Sequence, residues 1–285
     1  MPIAILLATY NSGRRLRYQL DSLFLQNYKD WILYVHDDGS LDDTLDILAE
    51  YANRYKGKLY VMKDKEKGRG AKNSFFWLLD NVVADYYMFC DHDDIWLPNK
   101  IKLSLNALQD IEKERNNLPI CVFSDLALVD GDYNVYNASM WKSARIKPDI
   151  LIRRKFLAVF NCVTGCTMLF NKAAKDVASV RYDDIPMHDW WVAYCVVKNN
   201  GVLFPIHKAT ILYCQHGNNV VGVRKIGWLY YKEKLFHIRH IYRRNIESVN
   251  FLSRIGELSP FDYWLKKITY CMRRISVSYT HLRAH

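Results

Sequence analysis

Three carboxylates stand almost together in Phe89-Cys90-Asp91-His92-Asp93-Asp94-Ile95-Trp96, where the apolar run Tyr86 to Cys90 stops abruptly. Clustered Asp at a strand end supplies hard oxygen ligands for Mg²⁺ or Mn²⁺. At the carboxyl edge of an open α/β sheet such ligands face the crevice where small molecules bind. The chemistry on offer is that of a metal-bound nucleotide. Asp-x-Asp spacing alone is weak, since a second instance, Asp130-Gly131-Asp132, lies in a stretch that reads as a turn between strands.

Other strand ends carry matching residue types. Ala8-Thr9-Tyr10-Asn11-Ser12-Gly13 closes the first apolar run with small polar residues that let a planar base approach the backbone, or form a strand-to-helix turn with Ser12 as N-cap. His36-Asp37-Asp38-Gly39-Ser40 closes the second, and a carboxylate there can accept from a pyrimidine N3–H. Gly68-Arg69-Gly70-Ala71-Lys72-Asn73-Ser74 opens a helix and offers backbone N–H groups, the helix dipole and Lys72 to a diphosphate, without the residue order of a Walker loop. In Met187-His188-Asp189-Trp190-Trp191, Asp189 is either an N-cap beside buried Trp or a general base beside a sugar-sized slot, taking the proton from an attacking hydroxyl. His216, in Gln215-His216-Gly217, follows a strand and is either structural or a nitrogen ligand to the ion held by the Asp cluster.

Positioning these residues takes alternating elements. Strands are expected at Ile3–Thr9, Trp31–Val35, Lys58–Met62, Tyr86–Cys90 and Ile120–Phe123, with helices near Arg15–Gln26, Asp42–Tyr55, Ala71–Asn81 and Pro98–Ile111. Ser40-x-x-Asp43 and Pro98 supply helix-start signals. This βαβ progression predicts an α/β fold with a mainly parallel sheet. After residue 124 shorter strands follow at Leu126–Val129, Thr167–Phe170, Val202–Phe204 and Thr210–Cys214, with a helix from Asp189 to Lys198.

The net charge of +10 is uneven: residues 223–285 hold 13 Lys/Arg against four Asp/Glu, a net of +9. Apolar residues in this tail recur at Leu235, Ile238, Tyr242, Ile246, Val249 and Leu252. After the cap-like Ser259-Pro260, they recur at Phe261, Trp264, Leu265, Ile268, Met272 and Ile275. Helical spacing suits an amphipathic surface on anionic lipid, or packing against the catalytic body, better than a nucleic-acid groove. Residues 276–285 fit neither helix and read as non-native or disordered. No stretch reaches the roughly 18 apolar residues of a membrane span, and Met1-Pro2-Ile3-Ala4 lacks the basic start of a signal peptide. Seven Cys, several within apolar runs, suggest free thiols in a reducing cytoplasm. Cys162 and Cys166 have no partner pair at zinc spacing and read as structural.

Taken together, Ala8-Thr9-Tyr10-Asn11-Ser12, Asp37-Asp38-Gly39-Ser40, Asp91-His92-Asp93-Asp94-Ile95-Trp96, His188-Asp189-Trp190-Trp191 and Gln215-His216-Gly217-Asn218-Asn219 resemble family 2 glycosyltransferases, in particular the bacterial rhamnosyltransferase-like branch. The resemblance covers residues 2–222 and implies a Rossmann-like GT-A catalytic domain (1–222), followed here by a basic helical tail (223–275). It implies inverting, single-displacement transfer from a nucleotide-diphospho-sugar (dTDP- or UDP-linked) to a glycan or lipid-linked acceptor, with Mg²⁺ or Mn²⁺. By position it implies Thr9, Tyr10, Asn11, Asp37, Asp38, Lys72, Asn73 and Asp91 on the nucleotide, Asp91, Asp93 and His216 on the metal, and Asp189 as base. Asp94, Trp96, Trp190 and Trp191 would face sugar or acceptor. The chain departs from the family at His92, where Gln is frequent, and at Glu66-Lys67-Gly68, where Asn-x-Gly is. A sugar nucleotidyltransferase would need a Gly-rich, Arg-containing loop after the first strand, which Thr9-Tyr10-Asn11-Ser12-Gly13 is not. A receiver-type phosphoacceptor is less than half this length. The placement implied is cytoplasmic, peripheral on the inner face of the membrane.

Overall fold

A computed structural model describes the chain over residues 2–214 and 238–281. β1 (Ile3–Thr9) is apolar along its whole length because both its faces are covered, as a central parallel strand requires. β2 (Trp31–Asp37) pairs with it in parallel, Thr9 opposite Asp37, and β4 (Tyr86–Cys90) pairs on the other side, Leu7 opposite Cys90. β3 (Leu59–Val61) extends this parallel half beyond β2. The helices α1 (Arg15–Phe24), α2 (Thr44–Arg54) and α3 (Gly70–Asn81) alternate with these strands, bringing three strand ends to one edge as expected.

Beyond β4 the sheet is mixed. β8 (Met168–Asn171) runs antiparallel between β4 and β6 (Ile120–Val129), β9 (Val202–Cys214) pairs in parallel with β6, and β5 (Ile95–Trp96) is antiparallel at the far edge. The order is β3-β2-β1-β4-β8-β6-β9-β5, with β7 (Val135–Asn137) paired to β6 across the Asp130-Gly131-Asp132 turn. Two pairs of short strands expected from the sequence are each one long strand. Polar side chains at the joins are paired: Ser124 Oγ and Thr210 Oγ1 lie 2.6 Å apart, and Asp125 accepts from the backbone N–H of Leu126 and Trp141. α4 (Lys100–Glu114) and four short helices, α5 (Met140–Ser143), α6 (Pro148–Leu151), α7 (Arg154–Leu157) and α8 (Lys172–Val177), complete the body. The four short ones show no periodic pattern in the sequence. α9 (His188–Lys198) is buried on every side from His188 to Val196, so it lies inside rather than on the surface.

The tail forms a wall behind α9. Phe251, on α10 (Ile238–Arg254), meets the Trp190 and Trp191 rings edge-on at 6.0 and 5.9 Å. On α11 (Pro260–His281) Tyr270 packs 4.6 Å from the Phe160 ring. Ser259 caps α11 as its sequence suggests, its hydroxyl donating to Asp262 and accepting from the Asp262 N–H. The face picked out by periodicity is not the one that packs. Tyr263 and Tyr270 are buried, whereas Phe261 and Met272 are 75% and 66% exposed, with Leu265 and Ile268 exposed between them. The helix backbone continues past Ile275 to His281. Among the described residues no helix is long and apolar enough to cross a membrane.

Glu257, between α10 and α11, ties the tail to the body through Arg154 and, at 2.7 Å, Lys198 at the end of α9. Burial pushes its carboxyl up, but hydrogen bonds from Lys198, Tyr194 and Arg154 outweigh this and hold it down at about 2. A depressed carboxyl contributes stability fully above its ordinary value of 4.5 and loses it as pH falls toward about 2. Glu257→Gln should therefore lower the melting temperature at neutral pH, by a loss of about 1–3 kcal/mol. The difference from wild type should vanish in scans taken toward pH 2.

Candidate active site

The loops after β1 and β2 are stitched into one rim. Asn11, in the left-handed region at φ 46°, accepts from the Leu41 N–H at 2.9 Å, while its own N–H donates to Ser40 Oγ at 2.9 Å. Ser12 N–H donates to Thr44 Oγ1 and Gly13 N–H to Asp42 Oδ2, both at 2.9 Å. Asp37 accepts from Thr9 Oγ1, Ser40 Oγ and the N–H groups of Gly39 and Ser40. Ser40 therefore holds the turn instead of capping α2, as its sequence spacing suggests; Asp42, accepting from the Thr44 N–H, does the local work. Tyr10 is left exposed at this rim.

Past β4, Asp91 is partly exposed while Asp93 and Asp94 are buried. Burial, reinforced by the neighbouring carboxylates, pushes the Asp91 and Asp94 carboxyls up. Asp94 is 0% exposed, with the Cys166 thiol and the Cys214 backbone as its hydrogen-bonding neighbours. This set of hard oxygens fits a divalent ion such as Mg²⁺ or Mn²⁺. Asp189, in the first turn of α9, faces the same cluster and adds to the upward push on Asp91. Its own carboxyl is raised by burial to about 6, against backbone N–H donors that hold it down: Gly165 at 3.0 Å on Oδ2 and Trp190 at 2.5 Å on Oδ1.

Gly165 opens the 3₁₀ turn Gly165–Thr167 and is a close approach, where a side chain would have to displace its neighbours by a few tenths of an ångström. A Cβ there would lie 3.0 Å from His188 Nε2 and 3.4 Å from Asp189 Cβ. His188 itself stacks on Phe75 at 4.2 Å and is edge-on to Phe89 at 4.7 Å; burial lowers it to about 3, so it is a neutral spacer behind the base. Sequence reasoning missed Gly165, which registers only as a break in an apolar run.

Several expected residues point elsewhere. Asp38 does not face an open base site: its two oxygens accept, at 2.8 Å each, from the N–H groups of Arg69 and Gly70 at the start of α3. The donors expected to hold a diphosphate are thereby occupied. Lys72 Nζ donates to the carbonyls of Asp183 and Ile185, clamping the approach to α9, and Asn73 turns back to Arg69. Trp96, Trp190 and Trp191 do not line a sugar slot. Trp96 is 1% exposed beneath Lys100, and the buried Trp190 and Trp191 turn their indole N–H groups to the carbonyls of Leu157 and Val180. Asp94 likewise lies too deep to meet an acceptor. His216 falls outside the described residues. A cavity of about 470 Å³ beside Leu97, Lys102, Leu103 and Lys208 lies along the α4–β9 edge and does not include the acidic cluster.

A parallel half-sheet whose strand ends form a rim, continued by a mixed half with carboxylates at the junction, defines the GT-A glycosyltransferase fold. The mannosyltransferase PcManGT from Pyrobaculum calidifontis, solved with GDP-Man and Mn²⁺, shares it at a TM-score of 0.60 and 14% identity, over 92% of this chain and 66% of that one. The sequence model for glycosyl transferase family 2 matches residues 4–178, and the chain belongs to that family. Among its relatives are the dTDP-rhamnosyl transferase RfbG of Shigella flexneri, 29% identical over 231 residues (76% of this chain, 73% of the relative). Another is the UDP-Glc:alpha-D-GlcNAc-diphosphoundecaprenol beta-1,3-glucosyltransferase WfgD of Escherichia coli, 23% identical over 201 residues (70% and 71%). Of other relatives the chain spans about three fifths of the length.

Asp38 as a tie for α3 has a direct consequence. Asp38→Ala should strip the Arg69 and Gly70 N–H groups of their acceptor and cost about 1–3 kcal/mol, seen as a lower midpoint in urea unfolding. A midpoint equal to wild type would remove the tie.

Proposed function

We propose that this glycosyltransferase moves a hexosyl or deoxyhexosyl group, rhamnose by preference, from a dTDP- or UDP-linked donor to a hydroxyl of a lipid-linked or cell-surface glycan, with inversion. The observation that carries the reading is Asp189: a buried carboxylate, held from two sides by backbone N–H groups, beside the acidic end of β4. A base so held keeps its aim and is raised to about 6, where it is ionised at neutral pH yet still basic enough to take a proton. Asp189 Oδ atoms would receive the proton of the acceptor hydroxyl as it attacks the anomeric carbon. Asp91 and Asp93, with His216, would hold a divalent ion, which supplies positive charge to the leaving diphosphate. Thr9, Tyr10 and Asn11 would border the base, and Asp37 and Asp38 would act by fixing the rim. Rhamnose and dTDP are favoured by the likeness to RfbG, and a diphospholipid acceptor by the likeness to WfgD.

With a lipid-linked acceptor the enzyme would work at the cytoplasmic face of the membrane. The exposed apolar stripe Phe261, Leu265, Ile268 and Met272, on a tail of net charge +9 over residues 223–285, supports docking on an anionic leaflet.

Calorimetry with dTDP and UDP, in Mn²⁺ and then EDTA, tests the site. Metal-dependent binding should be lost in Asp93→Asn and kept in Asp189→Asn, whose transfer rate should fall about 100- to 10,000-fold. The wild-type rate should rise with pH through about 6 and level off above it. Transfer by Asp189→Asn at the wild-type rate would assign the base elsewhere. For the membrane, flotation with phosphatidylglycerol vesicles should carry the wild type and leave Leu265→Ser/Ile268→Ser behind; no flotation of the wild type would sink the docking idea.

A further inference from the structure

Cys166 has no sequence neighbour that links it to the acidic stretch; the sheet makes the link. β8 pairs antiparallel with β4, Tyr86 opposite Asn171 and Tyr87 opposite Phe170. The 3₁₀ turn Gly165–Thr167 that leads into β8 is thereby brought against β4. Accordingly Asp91, Asp94 and Cys166 each turn one ligand atom into a common space, all within 4.8 Å of one another. Asp94 and Cys166 are both fully buried, Cys166 as a free thiol within hydrogen-bonding reach of the Asp94 carboxylate. The cation the protein itself supplies nearby makes no hydrogen bond to this pair. The Lys100 ammonium, also fully buried, sits 4.2 Å over the Trp96 ring and has no hydrogen-bond acceptor. Buried carboxylates that share a space are costly to keep ionised, and a divalent ion entering past the partly exposed Asp91 would supply the charge that a thiol hydrogen bond does not.

We propose that Cys166 is a ligand of the divalent ion in this enzyme, its thiolate joining Asp91 and Asp94 on the inner wall of the site. The inference rests on the reading that the acidic cluster holds the donor's ion. Binding exchanges the S–H bond for a metal–sulfur bond and releases one proton to solvent. Sulfur is a poor partner for Mg²⁺ and a good one for Co²⁺, Zn²⁺ and Cd²⁺, so the site should favour thiophilic ions beyond what carboxylates alone would do. Cys166 also follows Gly165, whose N–H holds Asp189, so the ion and the base are fixed by adjacent residues of one turn.

Cobalt reads this directly. Titrating the full chain with Co²⁺ should produce a sulfur-to-cobalt charge-transfer band in the near ultraviolet, with matching heat by calorimetry. The band should be lost in both Cys166→Ser and Cys166→Ala and kept in Cys162→Ser. Co²⁺ affinity should fall about tenfold in the Cys166 variants while Mg²⁺ affinity stays within about twofold, with circular dichroism confirming that each variant is folded. Co²⁺ that binds with no charge-transfer band would overturn the role of Cys166 and leave the carboxylate site standing. A band that survives in both Cys166 variants would also overturn it, by placing the thiolate elsewhere. No heat and no band would bring down this inference together with the metal-site reading beneath it.

Discussion

Four carboxylates, Asp91, Asp93, Asp94 and Asp189, converge in a space that water hardly reaches. Asp91 and Asp94 resist ionising because they are buried beside other carboxylates, and Asp189 because it is buried. The surrounding structure can be read as the means of keeping them in place despite this. Parallel pairing of β1 with β2 and β4 fixes where the strands stop, Gly165 and Trp190 grip Asp189, and His188 contributes volume behind it without contributing charge.

The residues around the rim divide by the direction of their hydrogen bonds. Asp37 and Asp38 face inward to backbone and hydroxyl donors and hold two loops and a helix start at fixed spacing. Such ties are a different use of acidic residues from ligation: the charge is stabilised by the backbone and need not wait for a ligand. His36, Asp64 and Arg69 extend this frame outward, Asp64 lying 3.0 Å from the His36 ring and held well below the usual carboxylate range by the Arg69 guanidinium.

The parallel half was legible because its signals are local. An unbroken apolar run such as β1 or β4, ending in Thr or Asp, states both the strand and its terminus, and β4 spans Tyr86–Cys90 as expected. Asp91 and Asp93 were legible for the same reason, whereas Asp189 joined them only through the resemblance to a family. What could not be read was the direction of side chains settled by distant partners. Trp190 and Trp191 look like a sugar platform beside an Asp, until Leu157, Val180 and Phe251 claim their edges and faces. Lys72 looks like a phosphate ligand until the carbonyls of Asp183 and Ile185 take its ammonium. Cys166 reads as inert packing because its chemical neighbours lie some seventy residues away and only the antiparallel β8 brings them together.

The base-bearing α9 has the tail for its outer wall: Phe251 covers its two Trp rings, and Glu257 joins its last turn to α7. A boundary drawn at residue 222 thus divides the charge of the chain but not its core. In a lineage that diversifies by exchanging segments, the rim of the nucleotide site could be swapped between relatives as a loop is swapped. The tail could not, because any replacement must also supply the inner surface against which the catalytic helix is seated. The helix that carries Asp189 and the tail that seats it are in this architecture inherited together.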